Sequence, residues 1–250
     1  MSFSQTTDDS FLGGRVTLRQ PAQGYRAGPD AVLLAAAIPA ISGESVLELG
    51  CGVGAVSLCL NARVSGLDLV GVEIQPDYAD LARENAHGAL EVVTADLSEM
   101  PLSIRDRQFH HVVANPPYYL EKRRKKSEDV GREAAFTEDT PLSLWVEVAA
   151  KRLRPRGVFS LIQDIERLPE IMAAALPVLG SLEVLPISAR EGRRPRRFLL
   201  RARKGGRAEF ILHPALVLHM GDAHSVDQDS YLPEVKSVLR DGVALNFPSR

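Results

Sequence analysis

Ser45-Val46-Leu47-Glu48-Leu49-Gly50-Cys51-Gly52-Val53-Gly54-Ala55 decides the fold: a short apolar run breaks on three glycines and resumes as a helical stretch reaching residue 63. Glycines let the backbone turn sharply and approach a ligand closely, just ahead of a helix N-terminus. Working outward, four more apolar runs follow at 67–73, 90–94, 109–114 and 157–162. Helical stretches at about 76–87, 142–153 and 166–179 fall between them. Apolar strands alternating with helices predict an α/β protein whose parallel sheet is covered on both faces. Ligands of such doubly wound sheets sit beyond the C-terminal ends of the strands.

Upstream, residues 1–14 are expected to be a flexible N-terminus, and 15–19 alternate like a short strand. Pro29-Asp30 opens a helix that runs to residue 38, with Pro in the first turn and an acid at the positive end of the dipole. Downstream, 182–187 and 197–203 follow each other without a helix and predict an antiparallel hairpin at the sheet edge. Short strands at 210–212 and 216–219 and a last helix at 233–240 complete the reading. No repeat or linker divides the chain, which is expected to form one domain over 15–250.

The second informative stretch is Asn115-Pro116-Pro117-Tyr118, directly after the run 109–114. Two prolines have no N–H to donate and fix φ, so they end the strand in a stiff turn. Its Asn side chain and proline carbonyls offer acceptors beside an aromatic ring, which suits a planar group carrying an NH₂. The Gly loop alone is ambiguous, because Gly50, Gly52 and Ala55 also satisfy the dinucleotide fingerprint. Glu73 ends the second strand of the alternation, where an acid would hold a ribose. Glu48, two residues ahead of the first glycine, suits a ligand bearing a positive amine better than a pyrophosphate. Asp96 follows the third strand and could accept from an adenine amino group, or serve only as a helix cap. Glu48, Glu73, Asp96 and Asn115 each end or follow successive strands.

Together, the Glu48–Gly54 loop, Glu73, Asp96 and Asn115-Pro116-Pro117-Tyr118 resemble the ordered motifs of class I methyltransferases that use S-adenosylmethionine (SAM) to modify amino groups. The resemblance implies a seven-stranded, mostly parallel sheet with an antiparallel edge hairpin. A closer likeness is to the bacterial tRNA(Val) adenine-N6 methyltransferases, which act on the adenosine 3′ to the anticodon. It rests on Tyr25-Arg26-Ala27-Gly28-Pro29-Asp30-Ala31-Val32-Leu33-Leu34, on Pro214-Ala215-Leu216-Val217-Leu218-His219 and on Tyr231-Leu232-Pro233-Glu234-Val235. It implies SAM bound by Glu48, Gly50, Cys51, Gly52, Gly54, Glu73 and Asp96, with Tyr25 and Asp30 closing over the methionine end. Asn115 and the Pro116 carbonyl would accept the two N–H protons of the target amine, and Tyr118 would stack on the base. Tyr119 is expected to support the loop.

The formal net charge of −2 gives no global reason to expect nucleic acid. Two local clusters do. Lys122, Arg123, Arg124, Lys125 and Lys126 follow the turn, and Arg193, Arg194, Arg196 and Arg197 lead a basic series that continues through Arg207. Beside the base pocket these are expected to bind tRNA phosphates. The six histidines make no ligand pattern, and no metal is expected. Cys51 and Cys59 have no metal-type spacing and read as reduced thiols of a cytoplasmic protein. The start lacks a signal-peptide core and no apolar run is long enough for a bilayer. Rival readings are a protein glutamine N5-methyltransferase, an rRNA guanine-N2 methyltransferase and a non-catalytic dinucleotide-binding module. The first usually carries a helical domain ahead of the Gly loop, and the last has no reason for Asn-Pro-Pro-Tyr.

Overall fold

The computed structural model describes residues 3, 5–118, 140–221 and 230–248. Alternation between apolar strands and helices produces the expected layers. β1 (Thr6–Phe11) and β2 (Val16–Pro21) form an antiparallel ribbon. Helix α1 (Pro29–Ala37) then leads into β3 (Ser45–Leu49), α2 (Ala55–Arg63), β4 (Asp68–Glu73), α3 (Pro76–Ala86) and β5 (Glu91–Thr94). The short α4 (Leu102–Arg105) precedes β6 (Phe109–Ala114). After it come α5 (Leu142–Arg152), β7 (Leu153–Asp164), α6 (Leu168–Ala175), β8 (Gly180–Ser188) and β9 (Arg197–Arg203). The two-residue strands β10 (Ile211–Leu212) and β11 (Leu216–Val217), then α7 (Pro233–Lys236), close the chain.

Among the described residues, seven strands carry the main sheet in the order β5-β4-β3-β6-β7-β9-β8, and β10 and β11 each add a short parallel pairing to β8. The predicted hairpin is therefore present but is not outermost. All pairings from β5 to β7 are parallel, whereas β9 runs against both neighbours. Successive side chains of a strand face opposite ways, and the core divides accordingly. Val46 and Val113 pack beneath α1, α2 and α3. Leu47, Leu49, Val112 and Ala114 meet α5, α6 and Ile104 of α4. Both faces are covered, which is why the strands read as nearly unbroken apolar runs.

The start of the chain corrects one expectation. Residues 6–11 are not frayed: they pair with β2 from Thr6↔Pro21 to Phe11↔Val16. Asp9 ties the ribbon down, accepting from Gln20 at 2.7 Å and pairing with Arg26 at 2.5 Å. Among the described residues no helix is long and apolar enough to cross a membrane.

Candidate active site

Chain order and register place the site before any side chain is considered. The sheet builds outward in both directions from β3, to β4 on one side and β6 on the other, so the switch point lies between β3 and β6. Leu49 is the partner of Ala114, so the Gly loop and the Asn-Pro-Pro-Tyr turn leave the sheet side by side. Leu49 is also opposite Val72, which brings Glu73 to the other flank of the loop. On the far side, Ala114 is opposite Leu161, so Gln163 and Asp164 extend the row, in register with Phe198 and Arg197.

All three loop glycines have positive φ: +63° at Gly50, +53° at Gly52 and +85° at Gly54. Gly50 has a second reason to be glycine, since a Cβ there would lie 2.6 Å from Cη2 of Trp145. The Gly52 N–H donates to Glu73 Oε2 at 2.9 Å, and Gln75 N–H donates to Oε1 at 2.9 Å. Glu73 is thus fixed under the loop, and burial raises its carboxyl above the usual range despite those bonds. Next to it Ile74 is 54% exposed, an apolar surface at the ligand edge that the sequence reading passed over.

Glu48 lines the same small cleft as Gly50, Tyr25 and Asn115. Its carboxylate accepts from Ser57 N–H at 3.0 Å and from the Ser57 hydroxyl at 2.5 Å, in the first turns of α2. Burial pushes this carboxyl up to about 8, against the pull of the Ser57 bonds. The side chains of three other expected ligand residues have contacts within the protein. Cys51 is buried with its Sγ against Gly71, which leaves its backbone to the loop. Asp96 caps the turn Leu97–Glu99, accepting from Ser98 N–H at 2.7 Å and from its hydroxyl at 2.8 Å. Asp30 stands on the turn side of the cleft, where it accepts from Tyr118 at 2.8 Å and from Arg197 at 3.2 Å. The Tyr25 ring lies 3.8 Å from a Cβ built on Gly52, and the Tyr78 hydroxyl bonds the Tyr25 backbone N–H and carbonyl.

Asn115 is oriented by two tyrosines. Its Oδ1 lies 2.8 Å from the Tyr118 hydroxyl, and its Nδ2 donates to Tyr25 Oη at 3.4 Å. The proline carbonyls are held by Gln163, which is fully buried at the end of β7 and whose Nε2 donates to Pro116 and Pro117 at 3.2 Å each. The Gln163 Oε1 accepts from the Asp164 N–H at 2.7 Å, and that bond fixes which way the amide points. Gln163 was absent from the sequence reading. The signal was a polar residue straight after an apolar parallel strand, at the end where ligands sit.

The basic residues separate into two groups. Arg193, Arg194 and Arg196 are exposed in the connection between β8 and β9, at the site end of the sheet. Arg197, expected to contact phosphate, pairs with Asp30 and Asp164 and lies over the Tyr118 ring. Arg190 is buried and bonds the Met220 and Gly221 carbonyls, while Arg201 bonds the Ala37 carbonyl. Residues 119–139, with Tyr119 and the series Lys122, Arg123, Arg124, Lys125 and Lys126, lie outside the described residues. His110 and His111 bond Ser45 and Glu44 near the opposite end of β3, away from the cleft. Among the described residues no cluster of His, Cys, Asp or Glu could hold a metal ion.

Residues 46–132 match a family model described as a methyltransferase domain. A Haemophilus influenzae protein named tRNA1(Val) (adenine(37)-N6)-methyltransferase is 27% identical over 82% of this chain and 88% of its own length. A Porphyromonas gingivalis protein of the same name is 28% identical over 83% of this chain and 89% of its own. Among solved structures, a protein described as a predicted O-methyltransferase from Agrobacterium tumefaciens superposes with a TM-score of 0.70 at 25% identity, covering 86% of this chain and 98% of that one. A Thermus thermophilus 16S rRNA N2 G1207 methyltransferase, solved with AdoMet and guanosine, has the same fold at a TM-score of 0.56 and 22% identity. It covers 80% of this chain and 50% of that one.

Proposed function

We propose that this chain, a class I methyltransferase whose cofactor is SAM, transfers the methyl group to the exocyclic N6 of an adenosine in tRNA. The observation that carries the proposal is the Asn115 amide, held by two tyrosines at the switch point beside the glycine cradle. The names of the relatives support adenine 37 of tRNA1(Val) as the target.

The residues of the cradle fit the cofactor. The turns at Gly50 and Gly52 leave backbone at the cleft floor, Glu73 retains lone pairs for ribose hydroxyls, and Ile74 offers an apolar surface for a purine. Bound SAM supplies a methyl group on a positively charged sulfur. The rest is work for the protein. Adenine N6 is a weak nucleophile because its lone pair is delocalised into the ring. Acceptance of its protons by Asn115 Oδ1 and the Pro116 carbonyl favours a pyramidal nitrogen with the lone pair freed. The Pro116 carbonyl already accepts from Gln163 and has a second lone pair to give. After transfer the nitrogen is cationic and strongly acidic, so no dedicated base is needed and positioning supplies most of the rate. A hydroxyl acceptor would instead need a base near its single proton. The Asn-Pro-Pro-Tyr turn offers amide and carbonyl oxygens, which suits an amine better. The Tyr118 ring would stack on a base extruded from a single-stranded loop. Exposed Arg193, Arg194 and Arg196 border the site and would meet phosphates.

The test is incubation with labelled SAM and unmodified tRNA, followed by nucleoside analysis. N6-methyladenosine is expected. Label confined to protein, or found as N2-methylguanosine in rRNA, would overturn the substrate assignment. Asn115→Ala is expected to lose roughly 100- to 1,000-fold in kcat, as for loss of one preorganised hydrogen-bonding group, with SAM still bound.

A further inference from the structure

Arg197 stands where a strand running against its neighbours begins, so it meets the C-terminal end of β7 and is opposite Asp164. Its guanidinium carbon lies 4.1 Å from the centroid of the Tyr118 ring. Its Nε donates to Asp30 Oδ2 at 3.2 Å, and its Nη1 donates to Asp164 Oδ2 at 2.9 Å. One planar fork thus spans two acids while stacking on the ring, a combination that lysine cannot reproduce. The side chain is 25% exposed, and its charge already has partners.

The hydroxyl of Tyr118 has one proton and two acceptors, Asp30 Oδ2 and Asn115 Oδ1, each at 2.8 Å. A carboxylate is the stronger acceptor. Held in place by Arg197, Asp30 shares the hydroxyl proton with Asn115 and fixes where the hydroxyl sits. The oxygen of Asn115 keeps its second lone pair for an incoming N–H.

We propose that Arg197 is a positioning residue for methyl transfer: through Asp30 and the Tyr118 ring it sets the aromatic face and the hydroxyl that orients Asn115, and it is not a phosphate contact. This rests on the amino-group reading given above, and the two fail separately. If wild-type protein, SAM and tRNA give no methylated adenosine, the substrate reading falls. A crystal structure of Arg197→Ala tests the positioning without substrate. Tyr118 displaced from Asp30 and Asn115 is expected, and an unmoved Tyr118 would overturn the proposal. With an active wild type, kcat and KM for tRNA are measured for Arg197→Ala, Arg197→Lys and Arg196→Ala at two salt concentrations. Arg197→Ala and Arg197→Lys are both expected to lower kcat about 10- to 100-fold at saturating tRNA, the scale of a small misplacement of reacting groups. KM and its salt dependence should stay within about twofold of wild type. Arg196→Ala is expected to show the opposite split. A wild-type kcat for Arg197→Lys, or a raised KM and flattened salt dependence for Arg197→Ala, would overturn the assignment. SAM binding, followed through the single tryptophan, Trp145, confirms that each variant is folded, and Arg197→Lys carries the test should the alanine variant not fold.

Discussion

Gly50→Ala perturbs the cradle in a way that can be worked through. The backbone sits at φ +63°, where a residue with a Cβ costs ~1–2 kcal/mol. The new methyl would also lie 2.6 Å from Cη2 and 2.9 Å from Cζ3 of Trp145, well inside van der Waals contact. The indole is 7% exposed within the α5 packing layer and has little room to retreat. Overpacking of this kind costs ~1–3 kcal/mol, so the sum is roughly 2–5 kcal/mol. Gly52→Ala shares the positive φ, but its Cβ meets only Tyr25 Cε1, at 3.8 Å, so its cost is roughly the backbone part, ~1–2 kcal/mol. Gly54→Ala falls between, with Leu90 Cδ2 at 3.2 Å. Urea unfolding followed by Trp145 fluorescence measures all three. With a slope near ~3 kcal/mol/M, Gly50→Ala should lower the midpoint by about 1 M. The same reporter should show a red-shifted or quenched indole in the folded variant. A midpoint equal to that of wild type would refute the steric reasoning, as would the order Gly52 before Gly50.

Three further expectations follow from the polar groups. Glu48, pushed up to about 8 by burial, holds its proton in the folded protein when an unfolded chain has lost it. The folded state therefore binds more protons between the ordinary carboxylate range and pH 8, and stability declines as pH rises through that window. Glu48→Gln should flatten the fall in Tm between pH 5 and 9, and parallel profiles would exclude an uncharged Glu48. Gln163→Leu strips the donor from two proline carbonyls and should cost about 1–3 kcal/mol in urea unfolding, together with kcat. An unchanged kcat would show that the turn is rigid without it. Replacing Arg193, Arg194 and Arg196 with alanine should weaken tRNA binding and reduce the slope of log K against log salt by up to about 3. Binding with an unaltered slope would move the phosphate path elsewhere.

The parallel sheet was legible because its strands are buried on both sides, so apolar runs and glycine breaks mark their ends with little interference. β3 and α2 lie where the sequence reading put them. Of the ribbon, β2 was read as a short strand but β1 was not, because Thr6-Thr7-Asp8-Asp9-Ser10-Phe11 is polar and mostly exposed and is ordered by cross-strand pairing with later residues. The candidate site divides the same way. The row from Glu73 through Gly50 to Asn115 follows from strand ends and register. What each acid bonds does not, because the partner is set by three-dimensional packing: Ser57 for Glu48, and Arg197 for Asp30. Arg197 looked like surface charge since its neighbours in sequence are exposed arginines, and only the reversal of β9 turns it inward. Asp96 is the local exception, for its bond to Ser98 two residues on is an ordinary capping pattern.

The connection from Ser188 to Arg197 is anchored at its base by the Arg190 bonds to the Met220 and Gly221 carbonyls and by the Ser188 hydroxyl on the Arg193 carbonyl. Its tip makes no part of the core. Chain added there costs mainly closure entropy, about 0.6 kcal/mol for each doubling of loop length. Contacts to different nucleic-acid shapes could thus be exchanged in a laboratory-evolved library by insertion within residues 191–194, while β9 keeps Arg197 aimed at the turn. On the proposed reading, RNA contacts sit on a loop that can be lengthened without disturbing the turn, and that loop is where a designer would begin.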